Sequence, residues 1–517
     1  MAIGAYVRLM RASFVLARHD AILPREYQAI LPWPARLAGR FARLFSQHGE
    51  GGPGERLARA LEQLGPSYVK FGQFLASRGD ILTPQIADGL ASLRDQMPPF
   101  SMDEAKAALK EAFGDNSETL FAGLEPPVAA ASVAQVHPLV LEDGSKLAVK
   151  ILRPGIEARI TKDIEAMALG AKLLERFVPA SRRLEPCKFV HTLARSLTLE
   201  MDLRLEAAGA SELAEIMDES FAIAIPDVNW ERTATRVFSM QWLDGVALSD
   251  TRALSRPGID RVQLARIVTS GFLRSALDYG VFHADMHEGN LFALPDGRLG
   301  MVDFGIIGRI GPPQRRYLAE ILYGFLRRDY RRVAEVHFEA GYVPDDYRVD
   351  DFAQALRAVG EPIFGKTAND VSMSQLLLQL FDVTAQFDMH LRPELVLLQK
   401  TMVQVEGVAR MLDPDHDLWG TANPVVESWM RRELGPQGLI NTAVDTALEL
   451  HRLAERLPRA VADAMDMLEK TRTVGLSLDA DTIEALAAAR ARKTRWARRA
   501  LIALALAGLA VAVKVWM

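Results

Sequence analysis

Hydrophobic and polar positions change their spacing along the chain, and each change predicts a different kind of element. From Glu55 onward the apolar residues recur at helical intervals. Within residues 65–84 this periodicity places Lys70 and Gln73 on one face of a helix, where their polar groups can enter a pocket. An ordinary amphipathic helix shows the same pattern when the segment is taken alone.

A second helix is predicted over Met102–Phe113, because Ser101 and Glu104 have the spacing of a capping box. After it the period shortens to that of β-strands, with a turn at residues 142–144 and a return strand that carries Lys150. This strand, turn and strand would cover a nucleotide, with Lys150 placed to reach its phosphates. A lysine on a strand is otherwise usually a solvated edge residue.

Residues 283–305 contain two chemical motifs in succession. Asp285 precedes Asn290 by five positions, and an apolar hairpin with its turn at residues 295–297 leads to Asp303, which opens an Asp-Phe-Gly turn. This is the spacing of a protein-kinase catalytic loop followed by its metal-binding turn. In that arrangement one Asp meets the acceptor hydroxyl, while Asn290 and Asp303 hold Mg²⁺ through oxygen atoms. Either motif alone would more often be a solvated turn.

Two histidines beside the catalytic loop allow a different interpretation. His283 and His287 flank Asp285, so a transition-metal site is an alternative. The neighbouring groups are oxygen donors, which suit magnesium better. Structural histidines are therefore expected.

These residues occur in an order that is typical of one family. The motifs are Lys70-x-Gly72-Gln73, an Ala-rich loop, Ala148-Val149-Lys150, Glu200-x-Asp202, His283-Ala284-Asp285-x-His287-x-Gly289-Asn290 and Asp303-Phe304-Gly305. Together they closely resemble the UbiB family of bacterial ubiquinone-biosynthesis proteins, which is related to the mitochondrial atypical kinases of coenzyme Q synthesis. The resemblance covers residues 61–412, and its Lys-x-Gly-Gln segment is absent from ordinary protein kinases.

The resemblance implies a kinase-like fold with added N-terminal helices, binding of ATP and Mg²⁺, and a role in making ubiquinone. The predicted class is α+β: a bilobal protein-kinase-like fold with a helical N-terminal extension, extra C-terminal helices and a C-terminal transmembrane helix. The predicted parts are an N-terminal extension (1–115), an N-lobe (116–245), a C-lobe (246–440), a helical C-terminal region (441–497) and a membrane anchor (498–517).

The resemblance also assigns roles to the site residues. Asp285 becomes the catalytic base or water-positioning group, and Asn290 and Asp303 become the magnesium ligands. The residues expected at the nucleotide are Lys70, Gln73, Val128, Ala129, Ala130, Ala131, Ser132, Val133, Ala134, Gln135, Val136, Lys150, Glu200 and Glu206. The loop over the nucleotide contains no glycine, and because the Cβ of alanine disfavours positive φ, the loop is expected to be less adaptable.

Sequence spacing and the family resemblance predict different acidic partners for Lys150. Spacing selects Glu165 or Glu175 on the next helix, as in ordinary kinases. The resemblance points instead to a later helix with three acids, Glu200, Asp202 and Glu206. On one continuous helix the first two face opposite ways, about 200° apart, while the last two share a face, so they can serve different partners.

Three positions depart from the family pattern. Glu288, Gly209 and Gln241 stand where Pro, Asn and Glu are usual. None of the three removes a charged residue assigned to phosphate or metal, although Gln241 can alter contacts on the adenine side.

Composition limits the partners and the compartment. A chain of 517 residues exceeds what one hydrophobic core usually supports, so several domains are expected. The net charge of −5 gives no indication of a nucleic-acid partner. The single cysteine, Cys187, excludes an internal disulfide and suits a reducing compartment.

The two ends of the chain suggest contact with a membrane. An apolar run at residues 500–513 follows an Arg-rich stretch; it is shorter than the ~20 residues of a spanning helix, but Lys514 can snorkel and Trp516 can sit at the interface. We expect a single-pass anchor in the bacterial inner membrane with a cytoplasmic catalytic domain, or alternatively an in-plane helix. The N-terminal helix mixes basic and apolar residues, and it either touches anionic lipid or docks on its own domain.

The predicted function is a membrane-associated, Mg²⁺-dependent ATP-binding kinase or ATPase that supports ubiquinone biosynthesis. Its expected partners are ubiquinone-biosynthesis enzymes or polyprenyl-quinone precursors, and membrane lipid. One alternative is a non-catalytic, nucleotide-dependent scaffold or a lipid-intermediate delivery protein. Another is a small-molecule kinase of the aminoglycoside or choline type, which the Lys-x-Gly-Gln helix and the C-terminal tail disfavour. The sequence does not identify the phosphoryl acceptor.

Overall fold

The computed structural model describes residues 2–21, 51–76, 86, 89–90, 93, 97–361, 383, 386–389 and 393–435. Residues 1–430 form one compact unit, and residues 431–517 form a second. The predicted helical region at 441–497 and the predicted membrane anchor at 498–517 lie outside the described residues. Within the described residues, no helix is both long enough and apolar enough to cross a membrane.

Helices and short strands are mixed along the chain, which confirms the predicted α+β class. The strands are β1 (Ala129–Ala130), β2 (Ala134–Val140), β3 (Lys146–Leu152), β4 (Ile223–Ala224), β5 (Val237–Gln241), β6 (Val246–Ala247), β7 (Val281–His283), β8 (Leu291–Ala293), β9 (Leu299–Met301) and β10 (Ile307–Arg309). The α-helices are α1 (Ala2–Arg18), α2 (Pro53–Leu64), α3 (Pro66–Ala76), α4 (Met102–Phe113), α5 (Ser117–Leu120), α6 (Ile156–Phe177), α7 (Pro186–Glu200), α8 (Leu203–Ile216), α9 (Arg261–Arg274), α10 (Pro312–Arg327), α11 (Tyr330–Glu339), α12 (Val349–Gly360), α13 (Pro393–Leu412) and α14 (Leu418–Glu433).

The N-terminal helices pack on α6 and α7. Helix α1 contacts α2 and α6, and α3 contacts α6 and α7. Gly72 allows α3 to pack closely, because a Cβ at this position would lie 2.4 Å from Leu93 Cδ1 and 2.6 Å from Leu61 Cδ1. The glycine of the Lys-x-Gly-Gln segment is therefore a packing residue.

An antiparallel sheet of order β1-β2-β3-β5 forms the first sheet. The predicted turn between β2 and β3 contains Gly144, which has a φ of +83°. Side chains alternate along β3, so Val149 and Ile151 are buried in the core beneath α4, while Lys150 points to the opposite face. The alternation of side chains thus places Lys150 on the face of the sheet opposite α4.

Helix α4 begins at the predicted capping box. The hydroxyl of Ser101 accepts a hydrogen bond from the Glu104 N–H at 3.3 Å, and the Glu104 carboxylate accepts one from the Ser101 N–H at 2.9 Å. Two otherwise unpaired N–H groups of the first turn are satisfied in this way. The prediction of this helix is confirmed to the residue.

The prediction of one continuous helix across the three acids is wrong, because the helix is interrupted at Met201. Helix α7 ends at Glu200, and α8 begins at Leu203. Asp202 is the N-cap of α8, and its carboxylate accepts a hydrogen bond from the Arg204 N–H at 3.2 Å. An N-cap residue has extended backbone angles, so the angular relations of one helix do not apply.

The remainder of the first unit is mainly helical around two small sheets. One has the strand order β4-β9-β8-β6, and the other pairs β7 with β10. Phe272 of α9 and Phe282 of β7 are buried in the core, with their rings edge to face at 5.6 Å. Strands β8 and β9 form the predicted hairpin, and Gly297 in its turn has a φ of +83°.

Candidate active site

Lys150 is the centre of a charge cluster in which Lys150 and Glu206 are largely buried and Asp303 is exposed. Its ammonium lies 2.7 and 2.9 Å from the two carboxylate oxygens of Glu206, on the first turn of α8. The two alternatives selected by spacing, Glu165 and Glu175, both lie on α6 and are not its partners. Glu175 instead accepts a hydrogen bond from the Cys187 N–H at 3.0 Å. The structure therefore pairs Lys150 with an acid on α8.

Asp303 is the second acid beside this lysine. Its Oδ1 lies 3.4 Å from Lys150 Nζ, and its φ of +61° is uncommon for a residue other than glycine. The nearby positive charge of Lys150, followed by that of Lys70, lowers the pKa of the Asp303 carboxyl to about 2. Asp303 is therefore ionised at neutral pH, as a metal ligand requires.

The opposite charges of this cluster favour one another's ionised forms. Burial opposes the charge of Lys150, but the carboxylates of Asp303 and Glu206 outweigh it and raise the pKa of the ammonium. Burial also raises the pKa of Glu206, and the contact with Lys150 opposes that shift. A cation held between two acids in this way is positioned to bind phosphate.

The hairpin brings Asn290 next to Asp303. The Val302 N–H donates to the Asn290 carbonyl at 3.0 Å, immediately beyond the paired ends of β8 and β9. The Asn290 side chain donates its Nδ2–H to the Asp285 carbonyl at 3.1 Å, which leaves its own side-chain oxygen for a metal. An amide oxygen and a carboxylate at one place fit Mg²⁺, which needs only one or two protein ligands when phosphates supply others.

A metal site built from histidine finds no support in the described part of the chain, which contains no group of three His, Cys, Asp or Glu side chains able to hold a metal ion. The ring of His283 accepts from the Asp285 N–H at 3.1 Å and donates to the Val302 carbonyl at 3.1 Å. Burial lowers the pKa of His283, consistent with this neutral form. This histidine ties the catalytic loop to the metal-binding turn.

The catalytic-loop Asp285 has two partners that sequence analysis missed. Its Oδ1 lies 3.1 Å from Lys400 Nζ and accepts a hydrogen bond from Gln404 Nε2 at 3.0 Å. Both residues lie on α13. Burial opposes ionisation of Asp285, but Lys400, Gln404 and His287 outweigh it and lower the pKa of the carboxyl. The one available signal was the polar pair itself, one turn apart on a largely apolar helix.

The Lys-x-Gly-Gln helix contributes a second ion pair. Lys70 Nζ lies 3.3 Å from the carboxylate of Glu200, at the last residue of α7. Phe71 and Phe74 follow Lys70 on α3, and both pack on Phe189 of α7, with ring centroids 5.7 and 5.0 Å from that of Phe189. Gln73, one turn after Lys70, is partly buried.

The Ala-rich loop forms the end of the first sheet. Every residue from Val128 to Val136 is described, and none has a positive φ. Arg153 fixes the loop by donating to the Ala131 carbonyl at 3.1 and 2.9 Å. The Gln135 side chain is buried and bonded to the backbone of Phe100.

One departure from the family pattern has a structural explanation. Gly209 lies on α8 against the metal-binding turn, where a Cβ would lie 2.9 Å from Ile307 Cγ1 and 3.4 Å from the Phe304 carbonyl. A larger side chain would push on the turn that carries Asp303.

Two family models match the chain. The ABC1 atypical kinase-like domain matches residues 92–337, and the UbiB helical domain matches residues 356–417. The first range contains Lys150 and Asp285, and the second contains Lys400 and Gln404. The site found in the structure thus draws on both matched regions.

Similar proteins match over most of the chain. A protein of Marinobacter nauticus named "Probable protein kinase UbiB" is 39% identical over 98% of this chain and 93% of its own length. Proteins of the same name from Aeromonas hydrophila and Azotobacter vinelandii are 40% and 37% identical, each over 90% of this chain and over 86% and 88% of their own lengths. A solved chain titled "The complex structure of Rv3197-erythromycin from Mycobacterium tuberculosis" aligns with a TM-score of 0.48 and 22% identity, covering 78% of this chain and 98% of that one.

Proposed function

The chain belongs to the UbiB family of ABC1 atypical kinase-like proteins, and from this premise we propose that it is a membrane-associated, Mg²⁺-dependent ATP-binding kinase or ATPase that supports ubiquinone biosynthesis. The observation that carries the proposal is the ammonium of Lys150 held between Glu206 and Asp303. A fixed cation, oxygen ligands for a metal and a separate carboxylate on the catalytic loop are the groups that phosphoryl transfer requires.

Each side chain then has a distinct task. Lys150 binds phosphate oxygens while Glu206 fixes its position. Asn290 and Asp303 would hold Mg²⁺, which would neutralise negative charge on the phosphates. Asp285 orients the attacking O–H group and accepts its proton. The protein's contribution is positioning and electrostatic stabilisation.

Helix α1 supports the proposed membrane association. Ala12 and Val15 are buried against the fold, whereas Ile3, Val7 and Met10 are exposed by 82%, 54% and 64% on another face. An exposed apolar stripe on a helix that also carries arginines is typical of a helix lying in an anionic membrane surface. We propose attachment to the cytoplasmic face of the bacterial inner membrane, with the segment 498–517 as a C-terminal anchor.

A nucleotide-dependent scaffold is the second candidate. The positive charge of Lys70 contributes to the low pKa of the Asp303 carboxyl, and from this we infer that α3 lies beside the metal side of the site. A helix at this position would hinder a protein substrate, which favours nucleotide-gated binding of biosynthetic enzymes or polyprenyl-quinone precursors.

The two candidates differ in their products. Full-length protein is incubated with Mg²⁺-ATP and liposomes that contain or lack a quinone-precursor mimic, and phosphate and phosphorylated products are quantified. The kinase or ATPase predicts turnover that Asp285→Asn abolishes while nucleotide binding persists. Nucleotide binding without any Asp285-dependent product would instead establish the scaffold.

A further inference from the structure

A cavity of about 280 Å³ lies where α1, α2, α3 and α6 meet. Its lining residues are Arg8, Arg11, Leu64, Tyr68, Arg159 and Asp163, all of them outside the set assigned to the nucleotide, the metal and the catalytic loop. Tyr68 and Lys70 are two positions apart on α3 and therefore leave it about 200° from each other. The cavity is on the side of α3 opposite the ion pair of Lys70 with Glu200, separate from the candidate active site.

Asp163 holds two arginines of this cavity in place. Its Oδ1 accepts a hydrogen bond from Arg8 Nη1 at 2.7 Å, and its Oδ2 accepts one from the Ser67 hydroxyl at 2.9 Å. Arg159 Nε lies 3.8 Å from the same Oδ2, and the Arg159 guanidinium also donates to the Leu64 carbonyl at 3.1 Å. Asp163 is only 5% exposed and both of its oxygens have partners, so its role is to position the arginines.

The lining carries more positive charge than Asp163 neutralises. Three arginines face one carboxylate, and Arg11 forms no ion pair or hydrogen bond with any residue that the structure describes. A guanidinium has five N–H donors, and the contacts of Arg8 and Arg159 use only some of theirs. An anion that enters the cavity therefore meets free donors from three cations.

Tyr68 adds a neutral donor to the same cavity. Only 8% of the residue is exposed, and among the described residues its hydroxyl has no hydrogen-bond partner, while its oxygen remains accessible. Burial raises the pKa of Tyr68 to about 12; the charge of Asp163 adds to this shift, and Arg8 and Arg11 oppose it. The phenol is therefore protonated at neutral pH. Water can accept from this hydroxyl, but only an anion also balances the charge of the arginines.

The size of the cavity and its donors select a small oxyanion. Its volume is below the ~300–1,000 Å³ of sites for drug-sized ligands, so it suits a single small group. Arginine recognises both carboxylate and phosphate. A carboxylate has two oxygens, whereas a phosphate group has at least three acceptor oxygens around phosphorus and can accept from several guanidiniums and the phenol together. The donors therefore match phosphate better.

The cavity lies beside the exposed apolar stripe of α1. Arg8 and Arg11 directly follow Val7 and Met10 of that stripe, each about 100° further around the helix. A lipid whose chains lie along the stripe can therefore place its phosphate at these arginines. A soluble phosphate ester can reach the same donors.

We propose that this cavity is a binding site for a phosphate group, to whose oxygens the Tyr68 hydroxyl and the three arginines donate. The group is carried either by an anionic lipid or by a soluble phosphate, which present the same oxygens. Binding here does not require the nucleotide site.

The test measures binding to full-length protein in a neutral detergent by calorimetric titration. The probes are inorganic phosphate, acetate, and micelles that contain phosphatidylglycerol or, without the phosphate, diacylglycerol. Tyr68→Phe removes one O–H and keeps the ring, and Tyr279→Phe makes the same change at an exposed tyrosine outside the cavity. Arg11→Gln removes a charge of the cavity, and Arg195→Gln removes one from an exposed arginine of α7.

The expected result is a loss of phosphate affinity confined to the cavity variants. Tyr68→Phe weakens binding about tenfold or more, as for one lost hydrogen bond to a charged group. Arg11→Gln weakens it up to about fivefold, because solvent screens an exposed arginine. Tyr279→Phe and Arg195→Gln match the wild type. Tyr68-dependent binding of inorganic phosphate identifies a soluble ligand, and such binding of phosphatidylglycerol alone identifies a lipid.

Three outcomes would overturn the site. The first is that neither inorganic phosphate nor phosphatidylglycerol binds the wild type. The second is that Tyr68→Phe binds both probes as tightly as Tyr279→Phe does. The third is Tyr68-dependent binding of acetate or diacylglycerol as tight as that of the phosphate probes, which would exclude phosphate as the ligand class. None of these measurements involves ATP turnover, so each outcome leaves the proposed kinase or ATPase activity to its own test.

Discussion

Replacing Glu206 with Gln tests the charge arrangement around Lys150. The Lys150 ammonium lies 2.7 and 2.9 Å from the two oxygens of Glu206 and 3.4 Å from Asp303 Oδ1. Glutamine keeps the shape of the side chain and one oxygen acceptor but removes the negative charge. Because the two side chains of the pair are only 14% and 8% exposed, solvent replaces little of the lost interaction.

The magnitude follows from what remains after the substitution. A hydrogen bond that involves a charged group contributes about 1.5–3 kcal/mol and a neutral one about 0.5–1.5 kcal/mol, so the unfolding free energy should fall by about 1–2 kcal/mol. This is less than the ~3–5 kcal/mol of a buried charge left without any partner, because Asp303 remains beside Lys150. With its first partner neutral, Lys150 should bind Asp303 more tightly and compete with the metal for that carboxylate.

Nucleotide affinity should fall together with stability. A competition of about 1.4 kcal/mol corresponds to a tenfold weaker binding of Mg²⁺-ATP. Chemical denaturation of the full-length protein measures the first quantity, and calorimetric titration with Mg²⁺-ADP and Mg²⁺-ATP measures the second. Glu215→Gln is the matched control, since that glutamate lies on the same helix α8 but is exposed to solvent. Wild-type affinity in Glu206→Gln, or an equal loss in Glu215→Gln, would refute the reasoning.

Four further results are expected. Asp303→Asn should weaken Mg²⁺-dependent nucleotide binding at least tenfold with the fold intact, and unchanged thermal stabilisation by Mg²⁺-ATP would contradict its role as a metal ligand. Wild-type turnover should be below about 1 s⁻¹ with little phosphorylation of generic peptides. Ala130→Gly or Lys70→Ala should change nucleotide affinity or self-phosphorylation. Brisk phosphorylation of a generic peptide that neither substitution changes would show that neither the Ala-rich loop nor the helix of Lys70 restrains the site. Burial lowers the pKa of His337 from 6.5 to about 4. As the pH falls below 6.5, the unfolded chain therefore binds a proton at this histidine before the folded chain does. The free energy of unfolding should keep its full value above pH 6.5 and fall by up to about 3 kcal/mol toward pH 4. His337→Asn, which keeps a donor for the Val333 carbonyl, should flatten that part of the denaturation profile. Truncation before Arg490 should release the protein from membranes with nucleotide binding preserved, and continued tight retention would assign attachment to α1 or to another surface.

The sequence by itself determined the parts of the site that depend on neighbours in the chain. The Ser101 capping box begins α4 where the spacing predicts, because its hydrogen bonds join residues three positions apart. Alternation along β3 decides that Lys150 points away from Val149 and Ile151. The hairpin between Asn290 and Asp303 brings the two magnesium ligands of the prediction together, because antiparallel pairing joins the ends of a short loop.

Only the tertiary structure decided which surfaces these local elements meet. Glu206 contacts Lys150 across 56 residues, after a break at Met201 that an N-cap aspartate stabilises and that helical periodicity did not reveal. Lys400 and Gln404 reach Asp285 across 115 and 119 residues. Periodicity predicts which residues share a face of a helix, but the packing of distant elements decides which surface that face contacts. Hydrophobic burial is non-directional, so the local pattern alone does not select this partner.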